Sequence, residues 1–239
     1  MDTGNADVYI SPPNISLGGG MKIMAVGAHL DDIEIGAGGF IADMVLRGHE
    51  VRMVSMTLSG YRNLEGTHYR SDETCWEEGR KAAEVIGVGA DNLAVLLLEN
   101  MDVPWGKDAV IPVEKEIIAF QPDLVVTHSP SDSHQDHRAT AMAVISATRY
   151  MPNVLLWEPS SPARMPGHPF NGAISWPVSP KAMELKFAAL NAHFTEWLKY
   201  GGMKWNAQLQ GKALGHGLRA VDQAYEVFDP VRLSLGIGL

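Results

Sequence analysis

The chain has 239 residues, 46% hydrophobic and 20% charged, a balance that supports an ordinary buried core and excludes a disordered polypeptide. Its formal net charge of −9, from 28 Asp+Glu against 19 Lys+Arg, argues against a nucleic-acid binder, because neutralising phosphates takes a surplus of cations. No apolar run reaches the roughly 18 residues that mark a membrane span. The first residues show no basic segment followed by an apolar one, so no secretion signal is expected. One cysteine, Cys75, cannot form an internal disulfide and permits a reducing compartment. A soluble cytoplasmic protein is the expectation.

Residues 1–20 read as an extended tail, punctuated by Ser11-Pro12-Pro13 and Gly18-Gly19-Gly20. Residues 21–239 read as a single domain, since no polar linker divides them. Strands and helices then alternate: strand 22–27, helix 33–47, strand 51–57, helix 72–87, strand 93–98, helix 109–120, strand 123–128 and helix 137–149. Strands that are apolar throughout, such as Leu93-Ala94-Val95-Leu96-Leu97-Leu98, suit a parallel sheet buried on both faces. The alternation predicts an α/β fold, Rossmann-like and doubly wound, with a mostly parallel sheet and helices on both faces. After residue 150 the pattern loosens. Leu155-Leu156-Trp157 and Ile174-Ser175-Trp176 read as short strands, 159–169 as a proline-rich loop, and 180–200 as one long helix.

Two clusters stand where the first and fourth strands end: Ala28-His29-Leu30-Asp31-Asp32-Ile33-Glu34, and, beyond His128, Ser133-His134-Gln135-Asp136-His137. Ligands in open α/β sheets bind at the carboxyl ends of strands. Either cluster alone reads as a helix cap, Asp31/Asp32 in the first and Asp132 to Asp136 in the second. Together they read as two halves of one metal site. Catalytic zinc takes three protein ligands from His and Asp/Glu and keeps a fourth position for water. His29 and Asp32, three residues apart on a tight turn, can converge on one ion, with His137 the natural third ligand. Asp31 and Asp32 are neighbours and point differently, so one can bind while the other takes a proton from water. His134 would sit beside the ion, and Asp136 could orient an imidazole. Zinc is the first choice for such ligands, although iron, cobalt or nickel binds similar sets.

The two clusters resemble the signature motifs A-H-P-D-D-x-E and H-x-D-H of the PIG-L/LmbE-like zinc-dependent N-deacetylases. Glu78-Gly79-Arg80-Lys81-Ala82-Ala83-Glu84-Val85-Ile86-Gly87-Val88 is similar to that family's E-x-x-x-A-A-x-x-L-G-V helix. Lys186-Phe187-Ala188-Ala189-Leu190-Asn191-Ala192-His193 is similar to its K-x-x-A-L-x-x-H helix, and Ala224-Tyr225-Glu226-Val227-Phe228 to its closing strand. The resemblance implies a hydrolase that removes the N-acetyl (N-acyl) group of an N-acetylglucosamine-type sugar or glycoconjugate. The alternative is an amidase acting on a larger conjugate or an antibiotic-pathway intermediate. It also implies zinc on His29, Asp32 and His137, with Asp31 as general base. His134, polarised by Asp136, would stabilise the oxyanion or protonate the leaving amine, and Glu34 would support the ligands from behind. Leu30 replaces the family's proline, and Cys75 stands where the family often carries a substrate-binding arginine, a part that Arg70 or Arg80 would then take.

Three segments, 58–71, 100–108 and 159–169, are expected to wall the pocket. Trp105 could stack on a sugar ring or simply anchor its loop; Asp102 could bind hydroxyls. His193 would lie at the rim, and His216, between Gly215 and Gly217, would enter late with a proton. His68 and Tyr69 are weaker candidates, and Cys75, lacking a paired base, reads as a helix residue. The expected partner is a small N-acetylated sugar or glycoconjugate, with neither nucleic acid nor membrane; a homo-oligomer is left open. A dinucleotide-binding module is disfavoured because His29 occupies the second glycine position of G-x-G-x-x-G, and Gly36-Ala37-Gly38-Gly39 falls inside the predicted helix. A metal-carrying protein without catalysis is the remaining class.

Overall fold

A computed structural model describes residues 20–62, 65–66, 68–160, 164–216 and 223–234; the expected tail, up to residue 19, lies outside them. The elements are β1 (Lys22–Gly27), α1 (Asp32–Leu46), β2 (Glu50–Thr57), β3 (Tyr61–Arg62), β4 (His68–Arg70), α2 (Asp72–Ile86), β5 (Leu93–Leu98), α3 (Lys107–Phe120), β6 (Leu124–Thr127) and α4 (Gln135–Ala147). They continue with β7 (Val154–Trp157), β8 (Ile174–Val178), α5 (Pro180–Ala192), α6 (Phe194–Lys199), α7 (Met203–His216) and β9 (Ala224–Arg232). Among the described residues no helix is long and apolar enough to cross a membrane.

Seven strands form one sheet in the order β5-β2-β1-β6-β7-β9-β8. The first five run parallel, and β9 pairs antiparallel with both β7 and β8. β3 and β4 make a separate hairpin. Alternation along β1 divides the core: Ile23 and Ala25 join Phe40 and Ile41 of α1, Ala83 of α2 and Ala189 of α5 on one face. Met24 and Val26 join Val113 and Ile117 of α3 and Val144 of α4 on the other. Each of the Ile, Val, Met and Phe side chains among them, taken fully from water, contributes about 1.5–3 kcal/mol. The sheet is thus covered on both faces, as the apolar strands predict. Its strand order turns at β1 and β6, and the ends of those two strands carry the clusters.

Local chemistry explains the boundaries. Ser71 caps α2 by accepting from the Thr74 N–H at 3.1 Å, and Gly87 closes it at φ 96. Helix α1 is broken at Ala37 (φ −143, ψ 17). A Cβ at Gly36 would stand 2.5 Å from the Trp157 indole, so only glycine lets the helix lie this close to β7. The break turns the Gly39 and Phe40 N–H groups away from the preceding turn and onto the Glu226 carboxylate, at 2.9 and 2.7 Å.

The expected long helix over 180–200 is instead two helices. His193 leaves helical geometry (φ −75, ψ 59), and its imidazole is fully buried 3.3 Å from Glu34 Oε1. The apolar spacing continues across the break, which is why periodicity alone joins the two pieces. Helix α7 and the β3–β4 hairpin have no counterpart in the sequence reading.

Candidate metal centre and active site

The turn after β1 is pinned from several sides. The Leu30 N–H donates to Ser59 Oγ at 2.9 Å, and the Ala28 N–H to His128 Nε2 at 3.1 Å. Ser59 holds its place with φ 68, a strained conformation for a non-glycine residue. Asp32 Oδ2 accepts from the His29 N–H at 2.7 Å. Asp31 occupies the N-cap position of α1 but makes no side-chain cap hydrogen bond. Its carboxylate faces the cavity instead, which sets aside the simple capping reading for this residue.

His29 Nδ1 lies 3.1 Å from Asp32 Oδ2, His137 Nε2 lies 3.2 Å from Asp32 Oδ1, and the two imidazole nitrogens are 3.3 Å apart. Four tetrahedral ligands at zinc–nitrogen and zinc–oxygen distances stand about 3.3 Å from one another. Each imidazole thus has an Asp32 oxygen at about that spacing, a different oxygen for each ring, and the three side chains bring donor atoms within 4.8 Å of one another beside the cavity, so these residues could hold a divalent ion. Two other trios, His29/His134/Asp136 and His128/Asp132/His137, bring donor atoms within 4.8 Å. They fit less well. His134 Nδ1 is used by the Asp136 N–H, and His128, Asp132 and His137 are all buried.

Carboxylates back both imidazoles. His137 Nδ1 meets Asp132 Oδ2 at 3.0 Å, and His29 Nε2 meets Asp136 Oδ2 at 3.1 Å. Such partners fix the ring orientation and leave the opposite nitrogen facing the ion. Asp136 is itself held by the N–H groups of Met101 (2.8 Å) and Val103 (3.3 Å), Met101 with φ 68. The electrostatics agree. Burial lowers the basicity of His29, but Asp32 and then Asp136 outweigh it and raise its pKa to about 10. His137 is likewise raised to about 9 by Asp32 and Asp132 against burial. Burial works against the Asp32 carboxylate too, yet His137, His128 and His29 hold it well below the usual carboxylate range. Negative charge is concentrated where a cation is wanted.

The cavity has a volume of about 690 Å³, and all three expected wall segments contribute, through Ser59 and Arg70, Asn100 and Met101, and Ser160. A fourth wall comes from α6 and α7, with Glu196, Lys199, Tyr200 and Trp205. Arg70 lines the cavity, buried between Glu78 (2.8 Å) and Glu196 (3.6 Å). Arg80 is on the surface beside Glu84 at 3.8 Å and plays no part there.

Several expectations need correction. Asp136 gives its carboxylate to His29; His134 touches it only through the backbone, accepting the Asp136 N–H at 3.2 Å as the N-cap of α4. The short spacing puts both residues at the helix start, where the ring cannot turn back onto the carboxylate. Trp105 is 65% exposed and outside the cavity wall, as is the exposed Asp102. His193 is not at the rim but buried against Glu34. His216 ends α7 with Nε2 2.8 Å from Glu158, in a separate small groove, and does not enter the cavity. Tyr69 is exposed against Tyr61, and the His68 side chain is outside the described structure. Cys75 is a buried residue of α2 whose thiol is pushed up to about 12 by burial.

Sequence reasoning missed His128 and Asp132 as parts of the centre, although both stand in the stretch that it singled out. It also missed Tyr61, Arg62, Lys199 and Tyr200, which sit in short or irregular segments without a motif.

Residues 24–148 match the PIG-L family, described as GlcNAc-PI de-N-acetylase. A curated relative from Escherichia coli K12, the uncharacterized deacetylase YaiS, is 34% identical over 149 residues, 58% of this chain and 74% of that protein. The N,N'-diacetylchitobiose deacetylase from Pyrococcus horikoshii superposes with a TM-score of 0.71 at 22% identity, covering 88% of this chain and 83% of that one. GalB, the 4-carboxy-2-hydroxymuconate hydratase from Pseudomonas putida KT2440, superposes at 0.73 with 18% identity, covering 92% and 99%. One fold therefore carries different reactions, and function has to be argued from the site.

Proposed function

Because the chain belongs to the PIG-L family of de-N-acetylases, we propose that it is a zinc-dependent hydrolase removing the N-acetyl group of an N-acetylglucosamine-type sugar or glycoconjugate. One observation carries this reading. Three converging donor side chains, His29, Asp32 and His137, adjoin a carboxylate, Asp31, that is not used for capping and faces the same cavity.

When bound, a divalent ion supplies a Lewis acid for the amide carbonyl and makes water a stronger acid. Asp31 accepts the proton of the attacking water, the step for which a carboxylate in hydrogen-bond reach is suited. His134 Nδ1 accepts a backbone N–H, so in the neutral ring the proton sits on Nε2. Burial lowers its pKa and favours that neutral form. Nε2–H then donates to the oxyanion that forms as water adds to the carbonyl carbon. Collapse breaks the C–N bond, and the proton held by Asp31 leaves with the amine. Asp132 and Asp136 keep the two imidazoles in place throughout. The name of the Pyrococcus enzyme supports an acetylated amino sugar as substrate. The 690 Å³ cavity favours a second reading within the same chemistry, a conjugate larger than one sugar ring.

The test joins metal content to amine release. Protein purified without added metal is expected to hold about one zinc per chain and to release free amine from N-acetylglucosamine compounds until a chelator is added. Stoichiometric zinc with no release from monosaccharides, disaccharides, nucleotide sugars or glycosides would overturn the proposal.

A further inference from the structure

One face of α7 serves two places. Trp205 and Leu209 line the main cavity, and Lys212 and His216 continue the same stripe, at helical spacing, into the small groove beside it. There Lys212 Nζ meets Glu158 Oε2 at 2.9 Å and donates to the Pro159 carbonyl at 3.3 Å. His216 Nε2 stands 2.8 Å from the same Glu158 oxygen. Glu158 and Pro159 directly follow β7, and the next residue is Ser160. Its N–H donates to Asp132 Oδ2 at 3.2 Å, the oxygen that also meets His137 Nδ1 at 3.0 Å. Asp132 is fully buried, and its other oxygen takes the His134 N–H at 2.9 Å. A continuous series of contacts therefore runs from α7 through residues 158–160 and Asp132 to His137. The reacting groups leave Lys212 unused, and it lines the groove, not the cavity. Glu158, Ser160 and Lys212 also lie beyond residue 148, where the match to the family ends.

We propose that Lys212 is a positioning residue for the metal centre: by holding residues 158–160 it keeps the Ser160 N–H on Asp132, and through Asp132 it fixes the ring of His137. A carboxylate behind a ligating imidazole orients that ring only as well as the carboxylate itself is held. Among the described donors to the Asp132 carboxylate, His134 and His137 belong to its own stretch of chain, and Ser160 alone comes from elsewhere. With that donor displaced, the carboxylate is free to rotate about its broad terminal torsion, and the imidazole turns with it. The backbone there is secured separately, by the bridge from Asp132 to Arg164 and by the Met165 N–H on the Ser131 carbonyl at 2.9 Å. Loss of Lys212 therefore loosens the carboxylate and leaves the chain path in place. That a zinc ion sits on His137 rests on the deacetylase reading; how Lys212 reaches His137 does not.

Competition for zinc against a chromophoric chelator tests it on the full chain without substrate. Lys212→Met keeps the apolar stem and loses both contacts. It is expected to weaken zinc about three- to tenfold, less than the loss of a direct carboxylate partner. Lys212→Gln is expected to do the same, and Lys212→Arg to restore most of the affinity. In an Asp132→Asn background Lys212→Met is expected to add little, because its effect passes through that carboxylate; residues acting independently would add in full. Parent-level affinity in both Lys212→Met and Lys212→Gln, or losses that add in full to that of Asp132→Asn, would overturn the proposal. The expected losses in a protein that releases no amine would keep it and sink the deacetylase reading. Amine release with Lys212 variants at parent affinity would do the reverse. A parent chain that takes up no zinc overturns both.

Discussion

Lys186 Nζ stands 2.6 Å from Glu226 Oε1, both side chains about 5% exposed, and the pair fills the break in α1. Lys186 donates to the Ile35 carbonyl at 3.1 Å, while Glu226 receives the Gly39 and Phe40 N–H groups. The pair thus acts as C-cap for the short helix that carries Asp32 and Glu34 and as N-cap for the longer one behind it. Residues on α5 and β9 thereby brace the helix segment that carries Asp32 and Glu34.

A buried pair that also satisfies backbone groups should be harder to replace than an isolated one. Removing one partner of a buried pair typically costs about 3–5 kcal/mol, while replacing both by apolar groups is often neutral. Lys186→Met is expected to fall in the first range in urea unfolding. Lys186→Met/Glu226→Leu is expected not to recover, because it leaves the Gly39 and Phe40 N–H groups without acceptors. Full recovery in the double variant would show that the capping role is not needed.

Asp31→Asn should separate chemistry from metal binding. Asp31 is no ligand in the proposed site, so zinc content should stay at the parent level. Turnover should drop about 10²–10⁴-fold, the usual worth of a positioned base. Near-parent turnover in a folded, zinc-loaded variant would remove Asp31 from the mechanism.

The carboxylates behind the imidazoles should show the opposite pattern. Asp132→Asn and Asp136→Asn are each expected to weaken zinc binding about 10–100-fold, as losses of such partners do. Competition against a chromophoric chelator measures this without any substrate. Unchanged affinity in both variants would mean that the packing around His29 and His137 orients the rings by itself.

Much of this centre was legible in the sequence because short-range spacing determines it. Asp31 and Asp32 are adjacent, His29 is one turn away, and the strand before them fixes the edge of the sheet at which they stand. The βα alternation likewise predicted the parallel sheet and its two covered faces. Long-range pairing is what spacing does not encode. His193 looks like a rim histidine on a continuous helix until Glu34, 159 residues away, draws it inside. Asp136 looks like a partner for His134 until the helix start directs it to His29. The α6–α7 wall carries no repeat or motif, and its role depends on where the chain returns to the cavity.

Cys75 offers a check on the environment beneath that cavity. Its thiol, pushed up to about 12 by burial, is almost wholly protonated at pH 8, and the thiolate is the reactive species. A chromogenic disulfide reagent at pH 8 should therefore leave the native protein unlabelled and react with one thiol per chain in denaturant. Rapid labelling of the native protein would mean that α2 opens locally.

Glu158 sits with Lys212 and His216 at 2.9 and 2.8 Å in the groove beside the cavity. Burial works against its charge, but Lys212 and then His216 outweigh it and hold its pKa below the usual carboxylate range. Lys212 itself is lowered, because burial there outweighs the attraction of Glu158. A carboxyl whose folded pKa lies below its unfolded one adds stability above the unfolded value, near 4.3 for Glu. That stability disappears as pH falls through the folded value. Glu158→Gln should therefore be less stable than the parent at pH 7 and converge with it as pH drops below about 4. Taking the difference between the two proteins cancels the acid titration of groups that do not touch Glu158. A gap that stays constant from pH 7 to pH 3 would assign the effect to packing, and one that closes assigns it to the charge of Glu158.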